Sequence, residues 1–513
     1  MTSERAGEPE EVSAGQAGEE RTGVEEGGRP ARSREVAAES RKVRQAVVVI
    51  HGVGEQRPMD TLRGFVEAVL DPDPRYKRKY RSKPDAMNEL LETRCLQAPR
   101  NHGAGRPLTD FYEYYWAHHM EGSTYGHVLG WAWELLRRRP SSVPGALRPA
   151  YYAIWSLLAA ALAFALGIVD LSLFRFIPIP TWSTGLLTGL SGLASLVLPI
   201  LLKKVVLGVV ADAARYLSPT PGNIAARNTI RAEGLKLLRA LHASGKYTRI
   251  VIVGHSLGSV IGYDIIRNLW TDLRKPDPPN PGKQLELKGF GKEAEKVNAD
   301  SGPAGIEAYR QAQHRLWAEN VGVGVPWLVT DFVTLGAPLA HGQLLMARTP
   351  EEFAATKEQY EYPCCPPVLD EPLGYEQHYD IGTEQGPVRR SVRLLHHGAP
   401  FAPTRWTNIY FPYHRLIFGD MIGGPLGPVF GRGVRDVAAT PADGFLSRTV
   451  CCHTQYWDEG GAGGTPKSGT SALKALGVAL GLDFLKGKHS REGSGTASPE
   501  HGKANGGSLS AVP

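Results

Sequence analysis

Gly254-His255-Ser256-Leu257-Gly258 constrains this chain more than any other stretch of it, because of what lies on either side. Directly before it runs IVIV at 250–253, a continuous β-branched run of the kind that suits a strand buried on both faces of a parallel sheet. Directly after it, Ile261, Ile265 and Leu269 recur at i, i+4 and i+8, with Ile266 and Trp270 beside them, which is the apolar stripe of a helix. A turn that must reverse from strand to helix within so few residues brings backbone against backbone. Glycine two places before and two places after the serine removes the side chains that would collide there.

A second unit of the same kind opens the ordered part of the chain. AVVVI at 46–50 reads as another buried strand, HGVGEQRPM follows it, and Asp60 can cap a helix carrying Leu62, Phe65, Val66 and Val69. A helix is expected over 223–243, and further strands at 111–116, 328–335 and 406–410. Strands alternating with helices imply a doubly wound, mostly parallel α/β sheet.

Composition limits the alternatives. The chain has 513 residues, 58 Lys+Arg against 52 Asp+Glu, and a formal charge of only +6. That balance lacks the basic excess of a nucleic-acid binder, so no nucleic-acid partner is expected. Five cysteines without CxxC spacing suggest neither a zinc site nor a disulfide scaffold. Residues 1–44 hold no aromatic, Leu or Ile, too little apolar surface to offset the entropy of ordering, and are expected to be disordered. Gly- and Ser-rich 486–513 reads as a flexible tail.

Two uncharged stretches interrupt the α/β pattern, 150–169 with 20 residues and 181–202 with 22. Each is long enough for a bilayer-spanning helix. Basic residues flank the pair outside (Arg137, Arg138, Arg139, Arg148, Lys203, Lys204), whereas the intervening turn carries only Arg175. The expected organisation is therefore a transmembrane helical hairpin at 149–204 inserted between halves of the α/β domain at 45–148 and 205–485. The positive-inside bias places both halves on the cytoplasmic side of a membrane. Within the second half, 272–324 combines a Pro-rich segment with a helical one and is expected to be lid-like.

Chemistry centres on Ser256, which the turn lifts to the C-terminal edge of the sheet at the positive end of a helix. A serine nucleophile needs a base and donors for the developing oxyanion. The backbone N–H of Leu257 is one donor; Val53, between Gly52 and Gly54 in the first strand's loop, is the candidate second. His51 precedes the nucleophile and reads as a structural hydrogen-bonder. In the chain order Ser, acid, His, Asp420 and Asp436 both follow a late strand. His453 is the last His before the tail, while His396, His397 and His414 precede Asp420.

The segments HGVGEQ, GHSLGS, TLGAPLAH (334–341), RWTNIY with GDMIGGP, and CHTQYW together resemble α/β-hydrolase-fold serine hydrolases of the lipase/esterase type, most of all bacterial membrane-associated ones. The resemblance spans roughly 46–458, apart from the hairpin and 272–324. It implies a triad of Ser256, Asp420 and His453 within an elbow of Gly254, His255 and Gly258, acting through an acyl-enzyme without metal or cofactor. The acid stands in D-M-I-G-G where such lipases often carry D-P-V-G. The expected substrates are carboxylic esters, with lipid acyl esters favoured by the hairpin. An inactive membrane-bound interaction module, or an acyltransferase or thioesterase using the same triad, are the alternatives.

Overall fold

The computed structural model describes residues 44–53, 57–70, 79–98, 107–120, 133–145, 147–149, 151–152, 154–156, 216–217, 221–298, 300–369, 374–383, 386–414 and 418–482. Its centre is an eight-stranded sheet. In chain order the strands are β1 (Arg44–Ile50), β2 (Arg81–Pro84), β3 (Arg94–Gln97), β4 (Leu108–Tyr114), β5 (Arg249–His255), β6 (Val329–Leu335), β9 (Arg405–Tyr410) and β10 (Arg435–Ala438). A separate two-stranded sheet, β7 (Tyr375–Thr383) with β8 (Gly386–Leu394), stands between β6 and β9 in the chain.

The spatial order is β10-β9-β6-β5-β1-β4-β3-β2. The six strands from β10 to β4 are parallel, and β3 and β2 extend that edge antiparallel. The unbroken apolar runs are explained by burial on both faces. Along β1, Ala46, Val48 and Ile50 enter one core while Val47 and Val49 enter the other, the period of two that a pleated strand imposes.

On the first face lie α2 (Pro221–Ala243), α3 (Leu257–Leu273), α4 (Glu286–Lys296) and α5 (Pro303–Gly322). On the second lie α1 (Asp60–Val69) and α7 (Ala472–Leu480); α6 is Pro350–Glu358. Leu62, Phe65, Val66 and Val69 of α1 are buried against Val47, Val49, Val251 and Val253. Each such side chain contributes roughly 1.5–3 kcal/mol by leaving water.

The strand order fixes where a site can form. The chain leaves β1 toward β4 on one side, then crosses back to β5 on the other, so the loops after β1 and β5 diverge. The crevice between two such loops, at the C-terminal ends of the strands, is where open α/β sheets bind ligands.

The membrane part of the expected architecture is corrected. Among the described residues no helix is long and apolar enough to cross a membrane. The hairpin segments 150–169 and 181–202 lie outside the described residues, except for 151–152 and 154–156. The transmembrane hairpin at 149–204 and the location in a cytoplasmic membrane, with the domain facing the cytoplasm, are therefore withdrawn. Both rested on stretch length and flanking charge alone. The expected tails, 1–44 and 486–513, also lie outside the described residues, save Arg44, which opens β1.

The segment 272–324 contributes α4 and α5 to the crossover from β5 to β6. Tyr309, Ala312 and Leu316 of α5 are buried in the first core. Gln313 donates to the carbonyls of Phe401 and Thr404 just before β9, at the end of the sheet opposite Ser256. It is a sheet-covering crossover rather than a cover for the crevice.

Candidate active site

Strand β5 ends at His255 and α3 begins at Leu257, so Ser256 alone makes the turn, with φ 51° and ψ −126°. A non-glycine residue in that region is strained and persists only where its surroundings over-determine it. Here the surroundings are the sheet itself. A Cβ on Gly258 would lie 2.2 Å from the carbonyl oxygen of Ile50, and one on Gly254 would lie 2.5 Å from Cα of Ser259. Both glycines are thus dictated by the close approach of α3 to β1 and β5.

The acid is carried by the loop that follows β9. Asp420 has no exposed surface, and its N–H is fastened to the carbonyl of Phe411 at 3.2 Å. His453 sits in the 3-10 turn Val450–Thr454. His453 Nε2 lies 2.9 Å from Ser256 Oγ, and Nδ1 lies 2.9 Å from Asp420 Oδ2. A carboxylate only accepts, so Nδ1 carries the proton and Nε2 is left to accept from the serine hydroxyl. The spacing is that of nucleophile, base and orienting acid.

Asp420 stays ionised despite its burial. Desolvation alone would raise it. The charge of His453 and hydrogen bonds from His453, the Tyr456 hydroxyl and the Gly423 N–H outweigh this and push it down to about 2. Tyr456 donates to Oδ2 at 2.7 Å, and the Ile422 N–H donates to Oδ1 at 2.9 Å.

Asp436, the rival acid, has a different post. It accepts from the N–H groups of Leu426 and Gly427 at 2.9 and 2.8 Å, and from Asn408 Nδ2 at 2.7 Å. Asn408 also donates to the carbonyl of Gly424. Asp436 thereby anchors the far end of the loop that holds Asp420 and makes no bond to His453.

His51 is buried, stacked on Trp116, and bonded at both nitrogens. Nδ1–H donates to the Gly52 carbonyl at 2.8 Å, and Nε2 takes a long 3.4 Å bond from the Trp116 N–H. Burial pushes it down to about 4. It shapes the loop that presents Val53, as a neutral structural residue. His396 bonds the Val368 carbonyl and His414 the Pro412 carbonyl, both away from Ser256.

Leu257, first residue of α3, has one of the N–H groups without an intrahelical acceptor. A Cβ on Gly52 would sit 2.9 Å from Cβ of Ser256, so the β1 loop passes directly beside the nucleophile with half-buried Val53 next in line. Gly54 lies outside the described residues.

Three further contributors lie within the segments TLGAPLAH and GHSLGS, and their roles come from contacts between loops. Gly336, at φ 55°, lies so close that a Cβ would be 2.7 Å from Asp420 Oδ2 and 3.0 Å from His453 Nδ1. His341 donates to the Met421 carbonyl at 3.0 Å, tying the loop after β6 to the acid loop. His255 Nε2–H donates to the His453 carbonyl at 2.8 Å, so the elbow holds the base's own backbone. Burial and neighbouring His453 push His255 down to about 3, which keeps it neutral.

Among the described residues one group could hold a metal ion, His118 with His119 and Glu233. It stands beyond β4, and His119 already bonds Glu233 at 2.7 Å.

No family model, curated protein or solved structure matches the chain. The functional reading therefore rests on the geometry of these residues.

Proposed function

We propose that the chain is a serine hydrolase of the α/β-hydrolase type that cleaves carboxylic esters. The observation that carries this is the continuous hydrogen-bond line from Ser256 through His453 to Asp420 at the crevice where the strand order diverges. His453 takes the hydroxyl proton as Ser256 Oγ attacks the ester carbonyl, and the N–H groups of Leu257 and Val53 receive the oxyanion. The protonated His453 returns its proton to the departing alcohol, leaving an acyl-enzyme. Water, deprotonated by the same His453, then releases the acid and restores Ser256. Asp420 holds the imidazole in the required tautomer and balances its transient charge. The preference for lipid esters drew on the hairpin and is not carried further.

Hydrolysis of a short-chain p-nitrophenyl ester by the full chain tests this. Ser256→Ala is expected to lower kcat by on the order of 10⁶-fold, as removal of a triad nucleophile does. An inactive wild type, or a Ser256→Ala variant of equal activity, contradicts the proposal.

A further inference from the structure

One helical turn beyond the nucleophile, α3 turns a second stripe of residues toward a cavity of about 690 Å³. Val260, Asp264 and Arg267 of α3 line it, at four-residue and three-residue spacing. The opposite walls come from α2, from the loop at 345–348 that follows the Gly336 turn, and from Glu134 and Arg138. None of the triad lines this cavity, yet Val260 is only four residues from Ser256, about 6 Å along a helix axis.

Its charge is unbalanced. Five arginines face it: Arg138, Arg227, Arg231, Arg267 and Arg348. Three carboxylates oppose them, and their charge is largely spent. Asp264 accepts from Arg231 Nε at 3.0 Å and from Tyr216, and lies 3.5 Å from Arg267. Glu352 accepts from the backbone N–H of Arg348 at 2.6 Å, and Glu134 is 4.0 Å from Arg138. Arg227 on α2 is half-buried, and among the described residues it makes no hydrogen bond or ion pair. Burial first, then the charge of Arg231, pushes its guanidinium down against the opposing pull of Asp264; Arg138 is also pushed down, by burial and more weakly by Arg348, with Glu134 and Glu352 opposing. Among the described residues, five cations against three carboxylates crowded into a concave, partly desolvated space make a site for a multiply charged oxyanion, because guanidinium forks match phosphate oxygens.

We propose that this cavity binds a phosphate-class anion, and that the anion is part of the ester substrate, held so that the acyl carbonyl reaches Ser256 along α3. The anion site stands on its own observations; its assignment to the substrate rests on the proposed hydrolase activity.

Two measurements separate these parts. Calorimetric titration of the full-length Ser256→Ala protein with inorganic pyrophosphate reads the anion site without any turnover. Saturable binding is expected, weakened roughly tenfold in Ser256→Ala/Arg227→Gln, the loss of one charge-assisted contact. Absence of saturable binding, or equal affinity in both proteins, overturns the site. Arg227→Lys, which keeps the charge, should bind between the two, and equal thermal melting of the variants excludes misfolding as the cause. The second measurement compares two esters of one acyl chain, with and without a phosphate on the alcohol. Arg227→Gln is expected to lower the ratio of kcat/KM, phosphorylated over neutral, by about tenfold. An unchanged ratio overturns the assignment to the substrate even if pyrophosphate binds. Pyrophosphate binding in a protein that hydrolyses neither ester upholds the anion site and refutes the hydrolase reading.

Discussion

Asp420 shows how a buried carboxylate can remain charged: its oxygens are met by donors, and two glycines leave room for them. Its pKa of about 2 lies below the ordinary 3.8, so the native state holds this proton more weakly than the unfolded chain does. A depressed carboxyl contributes stability above its unfolded pKa, and that contribution fades as pH falls from about 4 toward 2. Chemical denaturation across that window should therefore show a fall in stability that is smaller in Asp420→Asn, with the remainder due to other depressed carboxyls such as Asp331. The same variant presents the imidazole with a donor where it needs an acceptor, and kcat should drop about 10⁴-fold. Tyr456→Phe deletes a buried hydroxyl that donates to Asp420 and accepts from the Phe411 N–H. A loss of about 1–3 kcal/mol is expected by urea denaturation, together with reduced kcat. Gly336→Ala puts a methyl against Asp420, His453 and Tyr456 at a φ of 55°. Activity should fall sharply while Ser256 itself remains in place.

At the scale of the element, the acid loop separates two aspartates that look alike in the amino-acid string. Asp436→Ala removes the acceptor of three donors, and is expected to cost about 2–4 kcal/mol of stability. Its kcat should fall less than that of Asp420→Asn; the reverse ranking would transfer the role of acid to Asp436. What was legible in the sequence follows from burial. The strands β1, β5 and β6 are buried on both faces, so their apolar runs announce them, and the elbow glycines mark an approach that only glycine allows. The hairpin β7–β8 is largely exposed, with only Val392 and Leu394 buried, and β2 is exposed throughout. Pairing with a neighbouring strand makes these elements, and without a buried face on both sides they carry no continuous apolar run. Thr449–Cys452 favoured a strand by composition, but the Thr449 side chain accepts from the Cys451 N–H and caps a 3-10 turn instead. Gly336, His341 and His255 stand in the TLGAPLAH and GHSLGS segments, but their roles arise from contacts between loops, which a linear string does not display.

Across the whole molecule, the site is a consequence of the order in which strands were laid down. Six parallel strands point their C-terminal ends to one edge, and the reversal at β1 opens the crevice where the loops after β1, β5, β6 and β9 meet. The second face is closed by α1 and α7, with Cys452 of the 3-10 turn beside them. Leu476 of α7 is fully buried there, so Leu476→Ala should cost about 2–5 kcal/mol, read as a lowered Tm. The two uncharged stretches were legible as length and charge asymmetry, yet those signals do not distinguish a bilayer from other apolar surroundings. Everything proposed for the site depends on Ser256 being a nucleophile activated by His453 and Asp420. Labelling of the full chain with a fluorophosphonate, mapped by peptide mass spectrometry, tests it most directly. A single modified residue is expected, Ser256, with labelling strongly slowed in His453→Ala and abolished in Ser256→Ala. A folded wild type that stays unlabelled, or a label on another serine, would contradict it.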